Sequence, residues 1–194
     1  MKLDILAIGV HPDDVELGCS GTILNEIKNG KKVGILDLTQ GELGSRGTIE
    51  TRYNEAAAAA MILGVHLREN LKMADGFFKN DEEHQLKLII AIRKYQPEIL
   101  FTNALHDRHP DHGRASELTE DAAFLSGLVK IKRRIKIIWL PILARAEKRP
   151  MLPDIIFIAS RAKAMQRAGF IHPCLLSWLK YDRKLITIST NGNK

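Results

Sequence analysis

The sequence predicts an α/β fold, a mostly parallel sheet with helices on both faces. Across residues 1–129, apolar runs of strand length alternate with longer segments of helical period. The helical segments stop at glycine or proline, and two of the strand-length runs are followed, at once or after a few residues, by clusters of histidine and aspartate. Alternation of this kind buries parallel strands between two helical layers.

In chain order, residues 3–10 read as a strand and residues 21–29 as a helix stopped by Gly30. Residues 32–38 form the next strand, followed by a loop carrying Gly41, Gly44 and Gly47. Residues 50–63 are a strong helix, with alanine at each position from Ala56 to Ala60 and Gly64 as its stop. A short strand over 66–72, a helix over 82–95 closed by Pro97, a strand over 98–102 and a helix over 113–128 complete the series. The C-terminal third is atypical: residues 135–140 and 155–159 read as strands and 160–168 as a short basic helix.

A chain of 194 residues, 45% hydrophobic and 27% charged, has the composition of a globular domain with a sizeable core. It has no apolar run of about 18 residues and no signal-peptide pattern, so a cytoplasmic protein with no membrane partner is expected. Cys19 and Cys174 are far apart and form neither a disulfide framework nor a cysteine zinc knuckle. Charge divides the chain. Residues 1–129 hold 14 Lys and Arg against 20 Asp and Glu, a net −6, and residues 130–194 hold 15 against 3, a net +12. A basic tail is a common polyanion-binding signal. An altered reading frame also produces such a switch, and on that reading nucleic acid is not the expected partner. The domain division follows: a core over 1–129 and a basic segment over 130–194.

The chemistry lies in two clusters, His11-Pro12-Asp13-Asp14 and His109-Pro110-Asp111-His112, both expected on loops at strand carboxyl ends. Ligands of open α/β sheets bind along that edge. Either cluster alone is ordinary turn and helix-cap chemistry. Together they supply two histidines and a carboxylate, a common ligand set for catalytic zinc. Adjacent aspartates on a turning backbone point in different directions, so Asp14 can bind metal while Asp13 serves as base. His109 and His112 are three apart, on one face at the opening of a helix, and spacing alone does not say which binds metal. The glycines after the second strand make neither G-x-G-x-x-G nor a P-loop, which argues against a nucleotide cofactor.

The segment from His11 to Gly18, the Leu38-Thr39-Gln40-Gly41-Glu42 turn, the stretch from Gly47 to Arg52 and the His109 to His112 cluster resemble the LmbE-like, or PIG-L, family of zinc-dependent N-deacetylases. Within the family, the motifs resemble those of the bacillithiol-pathway N-acetylglucosaminyl-malate deacetylases. The resemblance covers roughly residues 1–129. It implies a Rossmann-like sheet, a Zn2+ cofactor held by His11, Asp14 and His112, and Asp13 as general base. It further implies that His109, held by Asp111, stabilises the tetrahedral intermediate or acts as acid, and that Arg52 contacts an N-acetyl sugar conjugate. A guanidinium suits a carboxylate-bearing aglycone such as malate because it binds bidentately.

Plainer roles compete for several of these residues. Arg52 can be solvated or paired with Glu55 or Glu42, and Glu42 and Arg46 can shape the loop beside the site without touching substrate. His66, His84 and His172 are expected to be surface or structural, and Trp139 and Trp178 core or interface residues. The departure from the family is the C-terminal third, where Pro153-Asp154-Ile155-Ile156 faintly echoes a family segment and members run some tens of residues longer. In the family that region supplies the loop that closes over the pocket and the usual homo-oligomer contacts. Two functions stand: a zinc hydrolase that removes acetate from an N-acetylglucosaminyl conjugate, or a catalytically impaired metal-binding core with an altered or polyanion-binding tail.

Overall fold

The computed structural model describes residues 1–131 and the strand 154–158. In chain order the elements are β1 Ile5–Gly9, α1 Asp14–Lys28, β2 Val33–Thr39, α2 Ile49–Leu63, β3 Leu67–Met73, α3 Glu82–Tyr95, β4 Ile99–Asn103, α4 Pro110–Ser126 and β5 Asp154–Ile158. The five strands form one parallel sheet in the order β3-β2-β1-β4-β5, as the alternating pattern predicts. The strand expected over 155–159 is β5, paired with β4. The strand expected over 135–140 and the helix over 160–168 lie outside the described residues, as do His172, Trp139 and Trp178.

Strand periodicity separates the core into two layers. Ile5, Ala7, Val33 and Ile35 face α1 and α2 through Val15, Cys19, Ile23 and Leu63. Their alternates Leu6, Ile8, Leu36 and Leu38 face α3 and α4 through Leu88, Ile92, Leu118 and Ala122. Side chains two apart share a face, so an apolar strand buried on both sides serves both layers. Among the described residues no helix is long and apolar enough to cross a membrane.

Two helices begin earlier than sequence periodicity suggests, and both shifts bear on the site. α1 starts at Asp14 and breaks its helical geometry at Cys19 (φ −146°), so the expected helix over 21–29 is only its second part. α4 starts at Pro110, whose fixed φ and missing N–H suit a first helical position, with His109 as its cap. Asp14 and His112 therefore sit in helical first turns rather than on loops. α2 opens on a capping box between Thr48 and Thr51 and ends at Gly64, whose left-handed φ of 69° a side chain would disfavour.

β1 is central because the chain places β2 and β3 on one side of it and then crosses to add β4 on the other. The carboxyl ends of β1 and β4 flank this topological switch point, where the loops diverge and leave a crevice.

Candidate metal centre

Asp14 is fixed from both flanking strands. Its Oδ2 accepts the main-chain N–H groups of Val10 and His11, each at 3.0 Å, and the side-chain amide of Asn103 at 3.1 Å. Asn103, the last residue of β4, also accepts the Val10 N–H through Oδ1 at 3.1 Å, which ties the two strand ends together. Burial alone would raise the Asp14 carboxyl. Hydrogen bonds from His11 and His112, together with the charge of His112, outweigh it and hold the group well below the usual carboxylate range. With Oδ2 engaged by three donors, Oδ1 is the oxygen turned to His112, 3.3 Å from its Nε2.

Both histidines beside Asp14 are backed by a second carboxylate. His112 Nδ1 lies 2.8 Å from Asp107 Oδ2, and His11 Nε2 lies 2.9 Å from Asp75 Oδ1. Burial pulls both imidazoles down, but the aspartates around them prevail: His11 is raised, and His112 is raised to about 9. His11, Asp14 and His112 each bring one ligand atom within 4.8 Å of the others. The donor set fits zinc, and the Asp–His pairing is how metal-binding histidines are oriented. His11, His109 and Asp111 make a second set of the same span, but the Asp111 carboxylate is already taken. It accepts the Gly76 N–H at 2.9 Å and pairs with Arg114 at 2.7 Å.

The remaining candidates surround this core. Arg52 reaches from α2 to Asp13, Nη2 to Oδ2 3.3 Å, so its carboxylate partner is Asp13 rather than Glu55 or Glu42. Its guanidinium lies against Gly41 and Gly44, where an added Cβ would fall 2.8 and 2.7 Å from it. A side chain at either position would have to displace the Arg52 guanidinium, and Gly41 also holds a left-handed φ of 64° that favours glycine. His109 is exposed and stacks on His112, ring centroids 4.9 Å apart. Its Nδ1 accepts the main-chain N–H of Asp111 at 3.3 Å, so a neutral His109 carries its proton on Nε2. That main-chain contact, not the buried carboxylate, links Asp111 to His109. Glu42 accepts the N–H groups of Asp75 at 2.8 Å and Gln40 at 3.2 Å, and Arg46 is exposed on the same loop. His66 accepts the Val33 N–H and His84 pairs with Asp81, both structural contacts.

Three residues of this site escape a reading of the sequence: Asn103, Asp75 and Asp107. Asp107 stands two positions before His109, a hint that proximity offers. Asp75 follows β3, and nothing local ties it to a histidine 64 residues away.

The family pattern described as GlcNAc-PI de-N-acetylase matches residues 6–123. Over 114 residues the chain is 35% identical to the uncharacterized deacetylase YaiS of Escherichia coli, covering 56% of this chain and 61% of that one. Over 139 residues it is 31% identical to the diacetylchitobiose deacetylase of Thermococcus kodakarensis, covering 66% and 52%. The chain thus spans little more than half the length of these two relatives. The crystal structure of the conserved protein TT1542 from Thermus thermophilus aligns with a TM-score of 0.69 at 41% identity, over 82% of this chain and 67% of that one. With the sheet order and both motif clusters in place, the chain belongs to the PIG-L family of de-N-acetylases.

Proposed function

We propose that the protein is a zinc-dependent N-deacetylase that releases acetate from an N-acetylglucosaminyl conjugate, with N-acetylglucosaminyl-malate as the favoured substrate. The observation that carries this reading is the convergence of His11, Asp14 and His112 at the switch point, each histidine backed by its own aspartate. Zinc held by these three residues would supply a Lewis acid for the amide carbonyl. Asp13, whose Oδ2 is engaged by Arg52, takes the proton of the attacking water on Oδ1. His109 donates a hydrogen bond from its Nε2–H to the carbonyl oxygen as charge develops on it, and Asp13 passes its proton to the amine as the C–N bond breaks, so that acetate and the free amino sugar leave. Arg52, with the exposed Arg46 of the loop after β2, provides cationic recognition of a carboxylate on the aglycone. These roles all fall within residues 1–129, the proposed catalytic core.

The test is acetate release by the zinc-loaded full chain on N-acetylglucosaminyl-malate, N,N′-diacetylchitobiose and free N-acetylglucosamine. Turnover of the malate conjugate with the highest kcat/KM, abolished by a chelator and restored by zinc, is expected. Equal turnover of all three would remove the aglycone from the proposal. No acetate from any of them would remove the activity.

A further inference from the structure

We propose that Asp75 is a positioning residue that couples the loop after β2 to His11. This rests on the reading of His11 as a metal ligand. Asp75 stands in the turn after β3, 6% exposed, and its two carboxylate oxygens serve different elements. Oδ1 takes His11 Nε2 at 2.9 Å, and Oδ2 accepts the Leu43 N–H at 3.0 Å. Its own main-chain N–H donates to Glu42 Oε1 at 2.8 Å. The loop holding Gly41, Glu42 and Leu43 thus grips Asp75 at two points, and the same loop lies against Arg52 through Gly41 and Gly44. A carboxylate accepting from Nε2 sets the imidazole so that Nδ1 faces Asp14, 3.7 Å from its Oδ2. Displacing the loop pulls on that carboxylate, and rotating His11 pulls on the loop. Substrate contacts and metal geometry are therefore linked through one buried side chain.

The experiment compares wild type, Asp75→Ala and Asp75→Asn in the full chain, with zinc alone as probe. Zinc affinity is read by competition with a chromophoric chelator, and amide hydrogen exchange over residues 40–47 is followed with and without zinc. Wild type binds one zinc and gains protection in the loop. Asp75→Ala binds zinc about 10–100-fold more weakly, the usual cost of losing a carboxylate behind a metal-binding histidine, and saturating zinc no longer slows loop exchange. Asp75→Asn preserves size, but its amide cannot accept hydrogen bonds through both terminal atoms, so it loses zinc affinity, loop protection or both. An Asn variant with wild-type affinity and zinc-dependent protection overturns the coupling while leaving the metal site standing. A wild-type chain that binds no zinc overturns the metal site and the coupling together.

Discussion

Asp107 Oδ2 lies 2.8 Å from Nδ1 of His112, on the opposite edge of the ring from Asp14. The other oxygen of Asp107 accepts the His109 N–H at 3.0 Å, so one carboxylate sets both histidines of the second cluster. The stack of His109 on His112 follows from that shared anchor. Asp107→Ala should weaken zinc binding by about 10–100-fold. It should also lower kcat, because the ring that hydrogen-bonds the developing oxyanion loses its main-chain anchor. A zinc titration and a kinetic assay check the two effects separately. Unchanged zinc affinity would show that α4 packing alone orients His112.

Zinc binding should release protons. In the metal-free chain the surrounding aspartates overcome burial and raise His112 to about 9, so its ring is protonated at neutral pH. A ligand nitrogen must be deprotonated to bind, hence zinc affinity rises with pH until about 9, by roughly tenfold per pH unit for each proton displaced. For the metal-free fold the sign is opposite. A histidine raised above its unfolded value contributes stability below about 6.5, and that contribution is lost as pH rises through about 9. Calorimetric zinc titrations in buffers of different ionisation enthalpy measure the protons released. A value near zero at pH 7 would contradict the electrostatic reading of the site.

Asp13 and Arg52 should separate chemistry from recognition. Asp13→Asn keeps the three ligand side chains and is expected to bind zinc normally while kcat falls by roughly 10²–10⁴, the contribution of a positioned base. Arg52→Lys retains the charge but loses the planar fork that meets Asp13 and the Gly41 carbonyl. Its expected signature is a raised KM for a carboxylate-bearing substrate, with a smaller rise for one lacking the carboxylate. Loss of zinc from Asp13→Asn together with its retention in Asp14→Asn would reverse the roles of the two aspartates.

How much of this was legible in the sequence depended on whether the signal was local. Apolar runs revealed the strands, and Pro97 and Gly64 marked helix ends, because backbone restriction acts within a few residues. The start of α1 was hidden. Asp14, Val15 and Glu16 look like a continuing loop until the break at Cys19 is seen, after which the helix resumes its period. The histidine and aspartate clusters carried their own chemistry. The carboxylates behind them did not, since Asp75 meets His11 only once β3 lies two strands from β1. Fold topology, rather than any motif, creates that contact.

The same topology builds a buried ion cluster beneath the site. Arg68 on β3 meets Asp37 on β2 through two parallel contacts, Nε to Oδ2 2.8 Å and Nη2 to Oδ1 3.0 Å. It also reaches Glu16 on α1 and the Ala56 carbonyl on α2. The Arg68 side chain is 9% exposed and that of Asp37 4%. Burial pushes the Asp37 carboxyl up to about 6 despite Arg68, so even the paired carboxylate is costly to ionise. Removing the guanidinium strands that charge and leaves Glu16 short of a partner when its Oε2 already lacks one. Arg68→Ala should therefore destabilise the fold by about 3–5 kcal/mol at neutral pH, the cost of breaking a buried pair. The sign of its pH dependence follows from Asp37. With the folded value above the unfolded one, native Asp37 holds more protons, and stability falls as pH rises from about 4 to 6. Without Arg68 the folded value climbs further, so the variant should lose less stability at pH 5 than at pH 8. Urea unfolding of both chains at the two pH values measures this. Equal losses at both would mean that Asp37 stays ionised without its partner, and the buried cluster would not be the electrostatic keystone between α1, α2 and the sheet.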